Sequence, residues 1–276
     1  MKYTCEQLAK MIDHSLLHPT LTDQEFEDGC RLAVQYGVAS VCIKPYAVRC
    51  AAELLKGSGV NVGAVIGFPH GNSTTESKRY ETELACRDGA VEIDMVINIG
   101  KALSGDWEYV ESDVKAVCDE AHRRGAKVKV IFENDYLDRG GAGLDSDAFK
   151  RRLCEICERA GADWVKTSTG YGFVKQADGS YNYKGATEHD LALMRASVSP
   201  RVQVKAAGGV RDLDGLIRVR DLGATRCGAT ATAAMLDEYR RREAAEQAGV
   251  SSSPHSTSCH RKLDAGETQS RSENRP

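Results

Sequence analysis

The sequence predicts an α/β protein, a single-domain (β/α)8 TIM barrel with a disordered C-terminal tail. Three observations carry that reading. About eight short β-branched runs alternate strictly with segments of helical spacing over roughly 240 residues, the length and rhythm of such a barrel. Many of the runs are apolar at consecutive positions, as parallel strands are when both faces are covered. The early glycine fingerprint of an open doubly wound sheet is missing; Gly170-Tyr-Gly172-Phe-Val-Lys175 has a lysine where the third glycine belongs, and a turn follows it.

The elements follow in chain order. The first strand is expected over Met11 to Leu17 and the second over Val38 to Lys44. Between them Asp23 to Tyr36 carries Phe26, Cys30, Leu32, Ala33 and Tyr36 at helical spacing, with Thr22 or Asp23 as cap. Pro45 is well placed to open a helix over Tyr46 to Leu55. The third strand spans Asn61 to Phe68, and Ser73 with Glu76 has the spacing of a capping box for a helix from Ser73 to Arg87. Strands at Val91 to Asn98, Lys127 to Asn134, Asp163 to Thr169, Gln203 to Gly208 and Thr225 to Thr230 complete the eight. Helices at Asp106 to Arg124, Asp145 to Arg159, Thr187 to Ala196, Asp212 to Arg220 and Ala231 to Glu243 fill the gaps. Gly37, Gly125 and Gly161 follow helical segments, where a left-handed cap is wanted.

Two βα loops stand out. Asp138 to Leu144 is a glycine-rich insertion after the fifth strand. Phe173 to Tyr183, after the sixth, carries an Asp178-Gly179 turn between residues of strand propensity and reads as a β-hairpin. In a barrel both lie over the catalytic face, so the hairpin is a candidate lid. The barrel is assigned to residues 1–243. From Gly249 to Pro276 apolar residues almost vanish, and such a segment buries too little surface to offset its ordering entropy.

Composition excludes several function classes. Charged residues make up 28% and net charge is −3, with both signs interleaved, so nothing favours nucleic acid or an anionic membrane. No run approaches the ~18 apolar residues of a membrane span, and the first residues lack the apolar stretch of a secretory signal. The ten cysteines are then expected as reduced thiols in a cytoplasmic protein. Cys154 and Cys157 form the one C-x-x-C, inside a helical pattern, and the seven histidines are scattered. A structural zinc site wants a second such pair, so neither metal nor cofactor is expected.

The chemistry lies in charges inside strands. Lys129, Lys166, Lys205 and Asp94 each interrupt an apolar run. Buried charges are costly unless paired. Lys166 and Lys205 fall in neighbouring strands, near the C-terminal ends where barrel enzymes keep their active sites. A free lysine, with pKa ~10.4, cannot attack a carbonyl at neutral pH. A second ammonium about 4 Å away contributes about 4 kcal/mol of repulsion at an effective dielectric of ~20, lowering the pKa by roughly three units. That is a route to a Schiff-base lysine, with Asp94 holding the partner charged and relaying protons. Which lysine is the nucleophile stays open on these grounds. Gly208, Gly209 and Arg211 after the seventh strand, and Gly228 and Thr230 at the eighth, suit a phosphate, and phosphate sites of this fold commonly lie there.

These segments resemble the deoxyribose-phosphate aldolase family. The resemblance runs from Asp13-His-Ser-Leu-Leu17 to about Leu236. It rests on Val41-Cys-Ile-Lys-Pro45, Val65-Ile-Gly-Phe-Pro-His-Gly71, Glu92-Ile-Asp-Met-Val-Ile97, Lys129-Val-Ile-Phe-Glu133, Asp163-Trp-Val-Lys-Thr-Ser-Thr-Gly170 and Val204-Lys-Ala-Ala-Gly-Gly-Val-Arg211. It implies reversible, metal-independent cleavage of 2-deoxy-D-ribose 5-phosphate to D-glyceraldehyde 3-phosphate and acetaldehyde. It implies Lys166 as the Schiff-base lysine, Lys205 and Asp94 as proton donors and acceptors, and Gly170 beside the phosphate. It implies a homo-oligomer, dimeric or higher.

The chain departs from the family pattern at four places. Ser15 replaces the usual threonine, Tyr171 stands where some members have lysine, and Gly228-Ala-Thr230-Ala231 lacks one hydroxyl of the common Gly-x-Ser-Ser. No tyrosine follows Tyr239 to match the C-terminal tyrosine of some members. Cys42 is expected to pack near the site. The competing readings are a phosphosugar isomerase or epimerase on the same barrel, which needs no nucleophilic lysine, and a non-catalytic phosphosugar-binding barrel.

Overall fold

Eight parallel strands close on themselves in a computed structural model that describes residues 1–251. A short helix α1 (Cys5–Ala9) precedes β1 (Ile12–Leu16), followed by α2 (Asp23–Tyr36) and β2 (Ser40–Ile43). A 3-10 turn over Pro45–Ala47 leads into α3 (Val48–Leu54), then come β3 (Asn61–Ile66), α4 (Thr75–Arg87) and β4 (Glu92–Val96). Next are α5 (Ile99–Leu103), α6 (Trp107–Arg123), β5 (Lys127–Ile131), α7 (Asn134–Leu137), α8 (Ser146–Ala160) and β6 (Trp164–Lys166). The hairpin β7 (Val174–Lys175) and β8 (Tyr181–Asn182) precedes α9 (Glu188–Ala196), β9 (Gln203–Ala207), α10 (Leu213–Asp221), β10 (Ala224–Ala229) and α11 (Thr232–Ser251). The barrel order is β1-β10-β9-β6-β5-β4-β3-β2, so the chain is a (β/α)8 barrel, with the antiparallel hairpin outside the closed sheet.

The elements form where the sequence expects them, with three instructive differences. Thr22 and Glu25 make the capping box of α2, and Gly37 ends that helix at φ +61. At α4 the cap is Thr74, which accepts from the Ser77 N–H, not the expected Ser73 with Glu76. Three consecutive hydroxyl residues compete there, and the one with extended backbone directly before the first helical residue wins. The helices α1, α5 and α7 are too short for a periodic signal, and the sequence predicts no helix there. The last helix runs past Glu243, where the barrel was expected to end, to Ser251. Ala244, Ala245 and Ala248 favour its continuation, and the N-terminal ammonium pairs with Glu246 at 2.8 Å. The rest of the polar tail, residues 252–276, lies outside the described residues.

The strands alternate between two faces, broken once in β10, which the apparently continuous apolar runs hid. Ile93 and Met95, Val128 and Val130, Val165, Val204 and Ala206, and Cys227 and Ala229 point outward into one apolar layer against the helices. The intervening residues point into the barrel. There many of them are charged, polar or small, where a typical barrel interior is filled with Val, Ile and Leu. Trp164 lies at the N-terminal end of the bore, with the Arg226 guanidinium 5.4 Å from its ring centroid and the Lys129 ammonium 5.8 Å away. A register shift between Ala224 and Arg226 sets Arg226 opposite Lys205. That extra residue turns the arginine inward.

Candidate active site

The strand period places the charges. Glu92 and Asp94 are two residues apart on β4, so both face inward. Asp94 pairs in register with Lys129 of β5, and Lys166 of β6 with Lys205 of β9. Asp13 comes from β1 and Arg226 from β10. The six inward residues other than Arg226 are buried.

Asp94 is the hub. Its Oδ2 accepts from Lys166 Nζ and from Lys205 Nζ, each at 2.7 Å, while its Oδ1 accepts from Lys129 Nζ at 3.0 Å. Asp13 Oδ2 lies 2.5 Å from Lys205 Nζ and 3.1 Å from Lys129 Nζ. Asp13 Oδ1 accepts from Ser40 Oγ and Arg226. Glu92 accepts from Lys129, Arg226 and Asn61.

The set holds four cations and three carboxylates, so one positive charge is in excess. An unbalanced buried charge is expensive, and the cheapest remedy is to lose a proton. Lys129 touches three carboxylates, and Lys205 and Arg226 touch two each. Lys166 touches only Asp94, on an oxygen it shares with Lys205. The member of the set held to its proton by the fewest carboxylates is therefore Lys166.

The titration directions agree. Burial lowers Lys166; Asp94 pulls it back up, and the Lys205 charge lowers it further. Burial also acts against the charge on Lys205, but Asp13 and Asp94 outweigh it and hold that amine above its ordinary value. Burial disfavours the Asp94 anion, yet Lys129, Lys166 and Lys205 keep it well below the usual carboxylate range. The sequence argument made lysine–lysine repulsion the main cause. In the structure burial comes first and the neighbouring ammonium is secondary, because the carboxylate between the two amines screens their repulsion.

Above this network opens a cavity of about 680 Å³. Leu17 and Tyr171 line one side, packed in a small apolar cluster with Cys42, Val65 and Phe68 behind them. Burial pushes the Cys42 thiol up to about 11, so it packs as a neutral group. The opposite end is lined by Gly170, Gly208, Gly209, Arg211, Gly228 and Thr230. Gly208 and Gly209 have φ +89 and +84, a left-handed backbone that favours glycine. A side chain at Gly228 would lie 3.6 Å from Lys205 Cε, so glycine there keeps the floor open. Arg211 is exposed and makes no ion pair among the described residues. Phe173 and Tyr183 of the hairpin stack edge to face at 5.3 Å and complete the rim.

All nine sequence-predicted site residues thus fall in one place: Lys166, Lys205 and Asp94 at its base, the other six at its mouth. Sequence reasoning missed Asp13, Glu92 and Arg226, and noticed Lys129 without placing it. Parity was the available signal, since Glu92 precedes Asp94 by two residues and Arg226 precedes Gly228 by two. Elsewhere, Cys154 and Cys157 are buried in α8, and burial raises both thiols.

Comparison with known proteins places this geometry. The family model described as DeoC/LacD family aldolase matches residues 7–251. A deoxyribose-phosphate aldolase of Rhodopirellula baltica is 51% identical over 239 residues, covering 87% of this chain and 92% of the relative. One from Clostridium perfringens is 46% identical, covering 84% of this chain and 95% of the relative. A solved structure described as a tetrameric deoxyribose phosphate aldolase from Aeropyrum pernix superposes with a TM-score of 0.74 at 29% identity, covering 86% and 92% of the two chains.

Proposed function

The chain belongs to the DeoC/LacD family of aldolases, and on that premise we propose how its site works. The reaction is the reversible cleavage of 2-deoxy-D-ribose 5-phosphate to D-glyceraldehyde 3-phosphate and acetaldehyde. The observation that carries the reading is the lone excess cation at Lys166, buried beside a carboxylate it shares with Lys205.

Neutral Lys166 attacks the C1 aldehyde of the open-chain sugar. The carbinolamine loses water and becomes an iminium. The C3 hydroxyl gives up its proton, the C2–C3 bond breaks, and its electron pair flows into the iminium to form an enamine. Glyceraldehyde 3-phosphate leaves. Protonation of the enamine carbon and hydrolysis release acetaldehyde and restore the amine. Asp94 Oδ2, within 2.7 Å of both amines, is placed to pass protons between Lys166 and Lys205. Lys129, donating to the other oxygen, Oδ1, fixes the Asp94 carboxylate, and Asp13 holds the Lys205 ammonium in position. The apolar side formed by Leu17 and Tyr171 suits the two-carbon fragment. The glycine mouth with Arg211, Gly170 and Thr230 suits the phosphate.

Borohydride reduction with acetaldehyde tests the reading. The expected product is an ethyl adduct on Lys166. An isomerase or a non-catalytic binding barrel would yield no adduct on any strand lysine, and that result would sink the proposal. Turnover of deoxyribose 5-phosphate beside deoxyribose then tests the phosphate end. The protein is further proposed to act in the cytoplasm as a homo-oligomer. The unpaired state of the described cysteines supports the first and the tetrameric relative from Aeropyrum pernix the second; sedimentation velocity checks the assembly. No helix among the described residues is long and apolar enough to cross a membrane.

A further inference from the structure

One buried carboxylate at the mouth takes no part in the steps above. Glu133 follows β5, and its backbone is left-handed, φ +59. For a residue with a side chain that conformation costs of order 1–3 kcal/mol and persists only when its surroundings impose it. The surroundings are specific. The N–H groups on either side of Glu133, from Phe132 and Asn134, donate to the carbonyls of Lys166 and Thr167, each at 3.0 Å. The two Glu133 carboxylate oxygens accept the Thr169 N–H at 3.2 and 3.0 Å. The Thr169 hydroxyl in turn accepts the Tyr171 N–H at 2.9 Å. The chain then passes directly over the carboxylate at Gly172, where a Cβ would lie 2.5 Å from Glu133 Cδ. Thr169, Gly170 and Tyr171 all line the cavity.

We infer that Glu133 is a positioning residue for this reaction, clamping the Thr169–Tyr171 wall of the cavity over Lys166 and facing the cationic imine with its charge. The inference rests on Lys166 being the Schiff-base lysine. The groups that face Glu133 are Lys166 of β6, Asp135 and Tyr136 of α7, and Thr169 of the loop. Burial raises its carboxyl to about 7; the Thr169 hydrogen bonds oppose that shift, Asp135 adds to it, and Lys166 opposes it. The group therefore changes charge within the working pH range. Ionised, it makes charge-assisted bonds to the loop and stabilises the iminium; protonated, it does neither as well.

The test compares the wild type with Glu133→Gln, which keeps an oxygen acceptor for Thr169 but cannot ionise. The wild type should show an acid limb in kcat near pH 7. Glu133→Gln should lose that limb and stay at the wild type's acid-side level, on the order of tenfold below its plateau, as loss of a charge-assisted bond implies. A Glu133→Gln profile that superposes on the wild type overturns the inference. The wild type also carries its own check, using 13C-labelled glutamate. One carboxyl resonance titrating near pH 7 with the acid limb supports the inference, and its absence overturns it even where the variant does not fold. Borohydride trapping on the wild type keeps the two readings apart. No adduct on Lys166 rejects the Schiff-base mechanism, whereas an adduct with superposed profiles rejects only the role of Glu133.

Discussion

The two faces of the same eight strands do opposite work. Outward residues such as Ile93, Val128, Val165 and Val204 enter an apolar layer under the helices. Inward residues one position away, Asp94, Lys129, Lys166 and Lys205, form an ion network inside the closed sheet. The outer layer stabilises the fold by removing apolar surface from water. The bore spends stability, because desolvating charge is unfavourable even when every charge is paired. What the bore gains is a dry place that lowers the proton affinity of one amine, Lys166. The buried pairs of the helix layer make the contrast plain. Lys78 sits on Asp113 at 2.6 Å and on the Val96 carbonyl at 2.9 Å, and Lys150 on Asp190 at 2.7 Å. Each of those lysines has a carboxylate that no second lysine shares. Lys166 has one carboxylate and shares it, and on the proposed mechanism that fits it for the nucleophile's part.

The sharpest break of this comparison is Lys166→Met. It removes the nucleophile but leaves Lys129, Lys205 and Arg226 against three carboxylates, so activity should fall by about 10³-fold or more while the fold persists. Steady-state assay beside thermal unfolding checks both halves. Lys205→Leu comes next. It leaves three cations against three carboxylates, so Lys166 has reason to keep its proton. Its pKa should rise, activity at neutral pH should drop on the order of 10²-fold, and the pH–rate profile should move to alkaline values. An unmoved profile would show that the charge count does not govern the amine.

A substitution on the other face should behave in the opposite way. Ile93→Ala opens a cavity in the outer layer and should cost about 2–5 kcal/mol of unfolding free energy, with kcat per folded molecule nearly unchanged. Denaturant titration and active-site counting by borohydride trapping separate the two. The smallest effect is expected at the exposed rim. Arg211→Gln should raise KM for the phosphorylated substrate about tenfold, the worth of one charge-assisted contact, with little change in kcat or in turnover of deoxyribose.

Much of this was legible in the sequence. Eight β-branched runs, helices at 3.6-residue spacing, and lysines standing where lysines are costly point to the barrel and to Lys166, Lys205 and Asp94 without any coordinates. Local signals suffice for those, because strand and helix periods and the cost of a buried charge are properties of short segments. The rest needed the closed sheet. Asp13, Glu92 and Arg226 lie on three strands far apart in the chain, and only barrel closure and the register shift in β10 bring them together beneath Lys129. Glu133 reads as one more residue after a strand until its left-handed backbone turns its carboxylate onto Thr169. The cause of the neutral amine changed for the same reason. Two lysines in a sequence suggest repulsion, but how many carboxylates stand among them, and how little water, is a sum over the whole bore.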